Sequence, residues 1–254
     1  PVCNLGSVNA VAHLGEDGTF ECNKLAKTVQ TAVKYLDRVI DINFYPIRQA
    51  SKSNSRWRPV GLGLMGLQDL FFKLDWPFDS PEAIKLSAQI QEEIYYNALW
   101  TSCELAKASG PHEAFSETRA SKGELQFDLW GVTPEKTKRW DTLKQDIQKH
   151  GLRNSLLIAI APTATIASIV GAYEAIEPQV SNLFKRETLS GEFIQINKYL
   201  VERLKKENLW NEDVRQRIKA QDGSVQNIEE IPENIRKVFR TVWEVPQKSL
   251  IDMA

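Results

Sequence analysis

The apolar positions of the chain predict a helix-rich protein with few strands. Over residues 24–43, apolar side chains recur every three or four positions, which predicts an amphipathic helix. The stretch "DSPEA" supplies an N-cap and a first-turn proline, so a long helix is predicted from Pro81 to the stop at Gly110 and Pro111. Further helices are predicted over residues 61–74, 133–151, 192–206, 212–220 and 232–254.

Two apolar runs, residues 2–11 and 155–161, are typical of strands. Long helical segments separate them, which predicts parallel pairing with helices outside the sheet. The apolar residues of 44–59 and 182–193 follow neither the helical nor the strand period. We expect a loop in the first range and an irregular excursion in the second. The chain has no repeat, low-complexity tract or linker. It is therefore predicted to be a helix-rich α/β fold, one domain over residues 1–254 without an internal boundary.

The composition is that of an ordinary globular protein. The chain has 254 residues, of which 42% are hydrophobic and 26% charged, with a net charge of -1. This charge balance does not predict a basic surface that would bind nucleic acid or an anionic membrane. No window reaches the ~18 apolar residues of a membrane span. Cys3, Cys22 and Cys103 are too scattered for a disulfide scaffold, and no pair has zinc spacing. A reducing, cytoplasmic setting is expected.

The stretch "APTATIAS" is the best candidate for a binding site. An apolar run ends at Pro162, and a helix of small residues follows. A helix start leaves unpaired backbone N–H groups and a partial positive charge, so an anion can bind there without a cationic side chain. Thr163 and Thr165 add hydroxyls, and Ala164 leaves room for a ligand to approach the backbone. The alternative is an ordinary threonine N-cap.

The stretch "GLGLMG", residues 61–66, matches the G-x-G-x-x-G pattern of dinucleotide-binding turns. That fingerprint needs a strand before it, and "SRWRPV" reads as a loop. The alternative is that these glycines let a helix pack closely on its neighbours. Cys3 is a second open case, because a lone cysteine in a strand is either a small buried hydrophobe or a redox-active thiol.

Four stretches, taken together, carry a family resemblance. "VCNLGSVNA", "RPVGLGLMGLQD", "LRNSLLIAIAPTATIASIVGAYEAIEP" and "NLFKRETLSGEF" resemble, in order and spacing, the large catalytic subunit of ribonucleotide reductase. The resemblance covers essentially the whole chain and implies the second half of a ten-stranded α/β barrel. It is most similar to the class I type, which takes its radical from a separate dimetal small subunit. The adenosylcobalamin-dependent class and a non-catalytic structural remnant are the alternatives.

The resemblance also implies roles for particular residues. Thr163, Ala164, Thr165 and Ile166 match the turn that binds the substrate's diphosphate. Cys3 matches one of two cysteines that reduce a ribonucleoside diphosphate and become a disulfide as the 2′-hydroxyl leaves as water. The segment is expected to bind no metal or other cofactor itself.

Several parts of such an enzyme have no counterpart in the chain. The radical-bearing cysteine, with its "N-x-C-x-E" pattern, and the partner of Cys3 would lie upstream, as would the allosteric ATP and deoxynucleotide sites. The relay tyrosines and C-terminal cysteines would lie downstream. Both ends of the chain read as cut from something larger. The expected partners are the remainder of the large subunit, the small subunit and, indirectly, thioredoxin or glutaredoxin, and the chain is not expected to turn over alone.

Overall fold

The structure is a computed structural model that describes residue 2, residues 4–188 and residues 191–253. Its strands are β1 (Asn4–Asn9), β2 (Val60–Met65), β3 (Leu183–Thr188) and β4 (Gly191–Ile196). Its helices are α1 (Cys22–Ile42), α2 (Arg48–Trp57), α3 (Leu67–Leu74), α4 (Pro81–Ser109), α5 (Gln126–Trp130), α6 (Thr137–His150), α7 (Ala164–Val170), α8 (Lys198–Lys206), α9 (Glu212–Ala220), α10 (Glu233–Val238) and α11 (Gln247–Met253). The predicted helix-rich α/β class is confirmed. Of the helices in the described residues, none combines the length and the apolar character needed to cross a bilayer.

The chain divides into two compact units, which are described separately. The first comprises Pro1–Val8, Phe20–Leu64 and Gln89–Pro162. The second comprises Asn9–Thr19, Met65–Ala88 and Thr163–Ala254. The prediction of one partial domain without an internal boundary stays a prediction.

The first unit contains a small sheet built on β2. Strands β1 and β2 are hydrogen-bonded neighbours. A parallel bridge joins Leu62 to Ile158, and the Ala159 N–H donates to the Leu62 carbonyl at 3.1 Å. This bridge is parallel, but it joins residue 158 to β2, a segment predicted to be helical; parallel pairing of residues 2–11 with 155–161 stays a prediction. Residues 155–161 run along β2 but form this single bridge instead of the strand that their apolar pattern predicts.

The predicted helix over residues 61–74 is wrong, because its first half is strand β2 and only its second half is helix α3. All six residues of β2 are buried, so the apolar run carries no period that separates strand from helix. A Cβ at Gly63 would lie 2.5 Å from the Ala159 carbonyl oxygen and 3.0 Å from the Ser7 Oγ. The glycines of "GLGLMG" therefore serve close packing, as the alternative interpretation expected, but in a strand.

Residues 44–59 were predicted to be a loop, and this prediction is wrong because α2 occupies most of them. The helix is polar, and a long-range contact holds it. The Asn54 side chain is fully buried, accepts the Val2 N–H at 2.7 Å and donates to the Val2 carbonyl at 2.7 Å. A tertiary contact of this kind overrides weak local helix propensity.

A buried polar network joins the end of α2 to α1, α4 and Asn154. Arg58 ends α2 in a left-handed conformation, and its guanidinium contacts the carboxylates of Asp37 at 2.9 Å and Asp41 at 2.7 Å. The hydrogen bond from Arg58 lowers the pKa of Asp41. Asn154 donates to Asp37 at 2.8 Å and accepts from the Ser102 hydroxyl at 3.0 Å. Every charge here has a partner, which is the condition for burying it without a large penalty.

His112 is a buried imidazole in the first unit, and it makes the stability of the protein pH-dependent. It is 2% exposed and lies against the rings of Trp57 and Phe115. Burial lowers its pKa to about 4 from an ordinary value of 6.5. The folded state therefore binds fewer protons than the unfolded state between these two values. We expect the free energy of unfolding to fall by about 3 kcal/mol as the pH drops from 6.5 to 4, and to change little further from this cause below pH 4.

Urea unfolding between pH 4 and pH 7 checks this prediction. His112→Phe removes the titrating group while keeping an aromatic ring, so its free energy of unfolding should vary less with pH. Phe115→Leu is the control, because it loosens the same packing and should shift stability equally at every pH. Equal pH dependence in the wild type and in His112→Phe would contradict the assignment.

The second unit has its own hydrophobic core. Phe72 of α3 stacks on Phe239 with ring centroids 4.9 Å apart. Around this pair pack Leu200, Leu204, Val214, Ile218, Val225, Ile228, Ile231, Ile235 and Val238. Asn197 is the N-cap of α8, and its side chain accepts the N–H groups of Tyr199 and Leu200. Helix α8 is thus fixed both at its apolar face, through Leu200 and Leu204, and at its N-terminus.

The described residues of 182–193 lie mostly in strands β3 and β4, which corrects the prediction of an irregular excursion. The two strands pair antiparallel, with Leu183 opposite Ile196 and Thr188 opposite Gly191. The helix predicted over residues 192–206 accordingly begins only at Lys198. Sequence patterning misses this strand pair because β4 is largely exposed and lacks the alternation of a half-buried strand.

Candidate functional site

The predicted anion-binding turn lies at the start of α7, in the second unit. Ala164, Thr165 and Ile166 form the first turn of the helix, and all three are exposed. Thr163 precedes them with φ 57° and ψ 13°, in the left-handed region, and is 8% exposed. A β-branched residue rarely adopts this conformation, so the surrounding structure must hold it there.

Thr163 is not an ordinary N-cap. N-cap residues adopt extended backbone angles and accept an N–H of the first helical turn with the side chain. Thr163 instead accepts the Ala175 N–H on its Oγ1 at 2.9 Å, and within the described residues no side-chain cap closes α7. The first intrahelical bond runs from the Ala167 N–H to the Thr163 carbonyl at 2.8 Å. The N–H groups of Thr165 and Ile166 therefore precede the first helical donor, on exposed residues, where an anion can accept them.

The loop after α7 is fixed by hydrogen bonds to both backbone polar groups of one residue, Tyr173. The Gly66 N–H donates to the Tyr173 carbonyl at 2.9 Å. The Tyr173 N–H donates to the Asp69 Oδ2 at 2.5 Å. Further along, the Val180 N–H donates to the Tyr173 hydroxyl at 2.8 Å. Since Ala175 lies two residues beyond Tyr173, these bonds also fix the N–H group that reaches Thr163.

Asp69 is the buried charge in this arrangement. It stands in the first turn of α3 and is 6% exposed. Burial raises the pKa of Asp69 and that of the nearby Tyr199. Lys198 lies close enough to oppose the rise at Asp69 and donates its Nζ to the Gly171 carbonyl at 2.9 Å. A cavity of about 380 Å³ lies beside these residues, bordered also by Lys73.

The last glycine of "GLGLMG" belongs to this arrangement. Gly66 has φ 73°, a conformation that favours glycine. A Cβ there would lie 2.7 Å from the Asn9 Oδ1 and 3.3 Å from the Ala172 Cβ. The absence of a side chain lets the loop after α7 approach the backbone at the start of α3.

Cys3, the predicted reducing thiol, lies outside the described residues. Of the other two cysteines, Cys22 is half-buried and Cys103 is buried. Burial raises the pKa of Cys103 to about 11, so at neutral pH it is a thiol and not a reactive thiolate. Across the described part of the chain, no group of three or more His, Cys, Asp and Glu side chains is placed to hold a metal ion.

Sequence reasoning placed the turn but missed the residues that hold it. Asp69 and Tyr173 are 104 positions apart, and no local period connects them. One signal was available: Asp69 interrupts the apolar run "LQDLFF", and a carboxylate on a buried helix needs a partner. Ala175 also has a left-handed backbone, with φ 43°, which nothing in "GAYEAIEP" indicates.

Comparisons with known proteins agree on one family. The family model described as "Ribonucleotide reductase, barrel domain" matches residues 1–254. The chain is 45% identical over 253 residues to the ribonucleoside-diphosphate reductase large subunit of Caenorhabditis elegans, covering 100% of the chain and 32% of the relative. It is 48% identical over 253 residues to the large subunit of vaccinia virus (strain Copenhagen), covering 100% of the chain and 33% of the relative. The chain thus spans about a third of the length of these relatives.

A solved structure shares the fold. The class Id ribonucleotide reductase alpha subunit of Actinobacillus ureae superposes with a TM-score of 0.73 over 99% of this chain and 40% of that one. The sequence identity is 24%, so the likeness concerns the fold. A fold of this kind in a reductase subunit agrees with the expectation that the chain forms part of an α/β barrel.

Proposed function

The chain belongs to the ribonucleotide reductase barrel family, and from that premise we propose that it is the substrate-holding part of a ribonucleoside-diphosphate reductase. In this function the turn at residues 163–166 binds the diphosphate of the substrate, and Cys3 is one of two reducing thiols. The observation that carries the proposal is the uncapped start of α7. The exposed residues Thr165 and Ile166, whose N–H groups precede the first helical donor, follow a threonine whose hydroxyl is used elsewhere.

The geometry of the turn suits a diphosphate. A left-handed residue followed by right-handed ones directs successive N–H groups into one concavity, which favours an anion. Thr163 and the residues of α7 have this sequence of conformations. The exposed Thr165 hydroxyl supplies a further donor, and Ala164 presents only a methyl group in front of the backbone. Neutral donors of this kind bind phosphate without a lysine or arginine.

The proposed reduction balances with two thiols. The C2′–O bond of the ribose breaks, the hydroxyl leaves as water, and a C2′–H bond takes its place. Two thiols, that of Cys3 and one outside this chain, give up two electrons and two protons and join as a disulfide. A radical on a further cysteine outside the chain starts the reaction, and we propose that a dimetal small subunit generates it. The proposed setting is the cytoplasm, with the rest of the large subunit, thioredoxin or glutaredoxin, and effector nucleotides acting from outside this segment.

Thr165 gives the test of diphosphate binding. In the complete large subunit we expect Thr165→Val to raise the Kd of a nucleoside diphosphate about tenfold, because one hydrogen bond to a charged group is lost. Thr165→Pro removes the backbone N–H as well, so its loss should be larger. Equilibrium binding of the diphosphate measures both.

Thr142→Val is the matched control. Thr142 lies on α6, and its hydroxyl donates only to the Lys138 carbonyl of the same helix at 3.1 Å. This variant should bind the diphosphate like the wild type. Wild-type affinity in both Thr165 variants would show that the diphosphate is held elsewhere.

A further inference from the structure

We propose that Asp69 is a positioning residue for the diphosphate turn, acting through the Tyr173 peptide and the bond between Ala175 and Thr163. The inference rests on the proposed function and deepens it, because it names what keeps the turn in a binding conformation. Asp69 would not contact the substrate. Its carboxylate would act on a loop that in turn holds Thr163.

The first step joins Asp69 to the loop after α7. Asp69 is buried, and its Oδ2 accepts the Tyr173 N–H at 2.5 Å. The Gly66 N–H holds the carbonyl of the same residue at 2.9 Å. Both backbone polar groups of Tyr173 are thus anchored on Gly66 and Asp69, at the start of α3. The peptide units on either side of this residue cannot rotate without breaking one of these bonds.

The second step joins the loop to the turn. Two residues after Tyr173, Ala175 adopts a left-handed conformation and directs its N–H to the Thr163 Oγ1 at 2.9 Å. This bond engages the hydroxyl that would otherwise cap α7. It also stabilises a backbone conformation that threonine does not favour. Loss of the bond would free residue 163 to return to extended angles, which would move the N–H groups offered to the diphosphate out of the binding conformation.

The third step explains why a carboxylate occupies position 69. Burying the Asp69 carboxylate costs free energy. Lys198 is the positive charge that stabilises this carboxylate, and among the described residues the two side chains make no direct hydrogen bond. The hydrogen bond from the Tyr173 N–H offsets part of this cost. A hydrogen bond to an ionised acceptor is roughly twice as strong as one between neutral groups. The charge of Asp69 therefore strengthens a bond to a backbone N–H group, where its effect is positional.

A double-mutant cycle in the complete large subunit tests the chain of contacts. Asp69→Ala and Thr163→Ala are each expected to raise the Kd of a nucleoside diphosphate about tenfold. Because both break the same link, the double variant should also lose about tenfold and not a hundredfold. Inorganic diphosphate should show the same pattern, whereas the affinity for the unphosphorylated nucleoside should not change.

Conservative and control variants separate positioning from general stability. Asp69→Asn keeps an oxygen that can accept the Tyr173 N–H, so it should restore affinity to within about threefold of the wild type. If the Asp69→Ala subunit fails to assemble, the double-mutant cycle is run with Asp69→Asn and Thr163→Ala. The coupling between these two substitutions then decides whether Asp69 acts through Thr163. Asp79→Ala is the matched control, because Asp79 is a partly buried carboxylate of the same unit paired with Arg240 instead of with the loop. It should lower the melting temperature without changing diphosphate affinity.

The outcomes distinguish this inference from the proposed function. A wild-type subunit that does not bind the diphosphate contradicts the proposed function itself. A wild type that binds, with Asp69→Ala binding equally well, overturns only the role of Asp69. Additive losses in the double variant, or an equal loss of nucleoside affinity, also overturn it, because they indicate general destabilisation.

Discussion

Cys3→Ser is expected to abolish the thiol-dependent reduction of ribonucleoside diphosphates by the complete enzyme. Serine keeps the size and a hydroxyl donor but cannot form a disulfide or give up an electron at an accessible potential. Turnover should fall at least about a thousandfold, as for the loss of a group that forms a covalent bond in the reaction. Deoxynucleotide formation with thioredoxin or a small dithiol as reductant is the measurement.

Two controls make the result specific. Cys22→Ser changes a half-buried cysteine that the proposed reaction does not use, and its turnover should match the wild type. Diphosphate affinity should be unchanged in Cys3→Ser itself, because the proposed phosphate contacts lie at residues 163–166. Full turnover in Cys3→Ser would remove the residue from the reaction, whereas a loss of affinity would indicate a disturbed fold.

Gly63→Ala is expected to have the largest effect on stability. Its Cβ would lie 2.5 Å from the Ala159 carbonyl oxygen and 3.4 Å from the Ala161 backbone nitrogen. The first separation is inside the contact distance of the two atoms, and a backbone atom cannot move aside as a flexible side chain can. The pairing of β2 with residues 155–161 would have to open, at a cost of about 2–4 kcal/mol. Chemical denaturation gives the free energy of unfolding.

Gly6→Ala is the matched control for this prediction. Gly6 lies in β1, and a Cβ there would meet the Leu36 side chain at 3.6 Å, which is ordinary contact. The same substitution should therefore change stability by less than about 1 kcal/mol, with a contribution from the reduced entropy of the unfolded chain. Similar losses at both glycines would mean that backbone flexibility, and not space, matters at Gly63.

Much of the helical structure could be predicted from local patterns. The predicted helix over residues 24–43 is α1, and Glu212–Ala220 has the predicted bounds, because each has one apolar face and recognisable ends. Strand β2 could not be predicted because both its faces are buried. Helix α2 could not be predicted either, since Asn54 stabilises it through a contact with Val2 far along the chain.

The candidate site divides in the same way. Helix-end physics indicates an anion site at Thr163 and Thr165, because a proline, two threonines and small residues are adjacent in sequence. Neither the left-handed conformation of Thr163 nor its bond to Ala175 could be predicted from this local sequence. The bond is made by the loop after α7, in which the Tyr173 N–H donates to Asp69 from 104 positions away.

The left-handed conformation of Thr163 has a consequence for how affinity depends on conditions. Its conformational cost is met when the protein folds and not when a ligand arrives, so the turn is preorganised for its ligand. Local opening of the loop that contains Tyr173 and Ala175 would relax Thr163 before the core around Phe72 unfolds. In the proposed function, warming or mild denaturant would therefore weaken diphosphate binding below the global melting transition. The affinity of the turn and the amide-exchange protection of Ala175 would then report the same opening equilibrium.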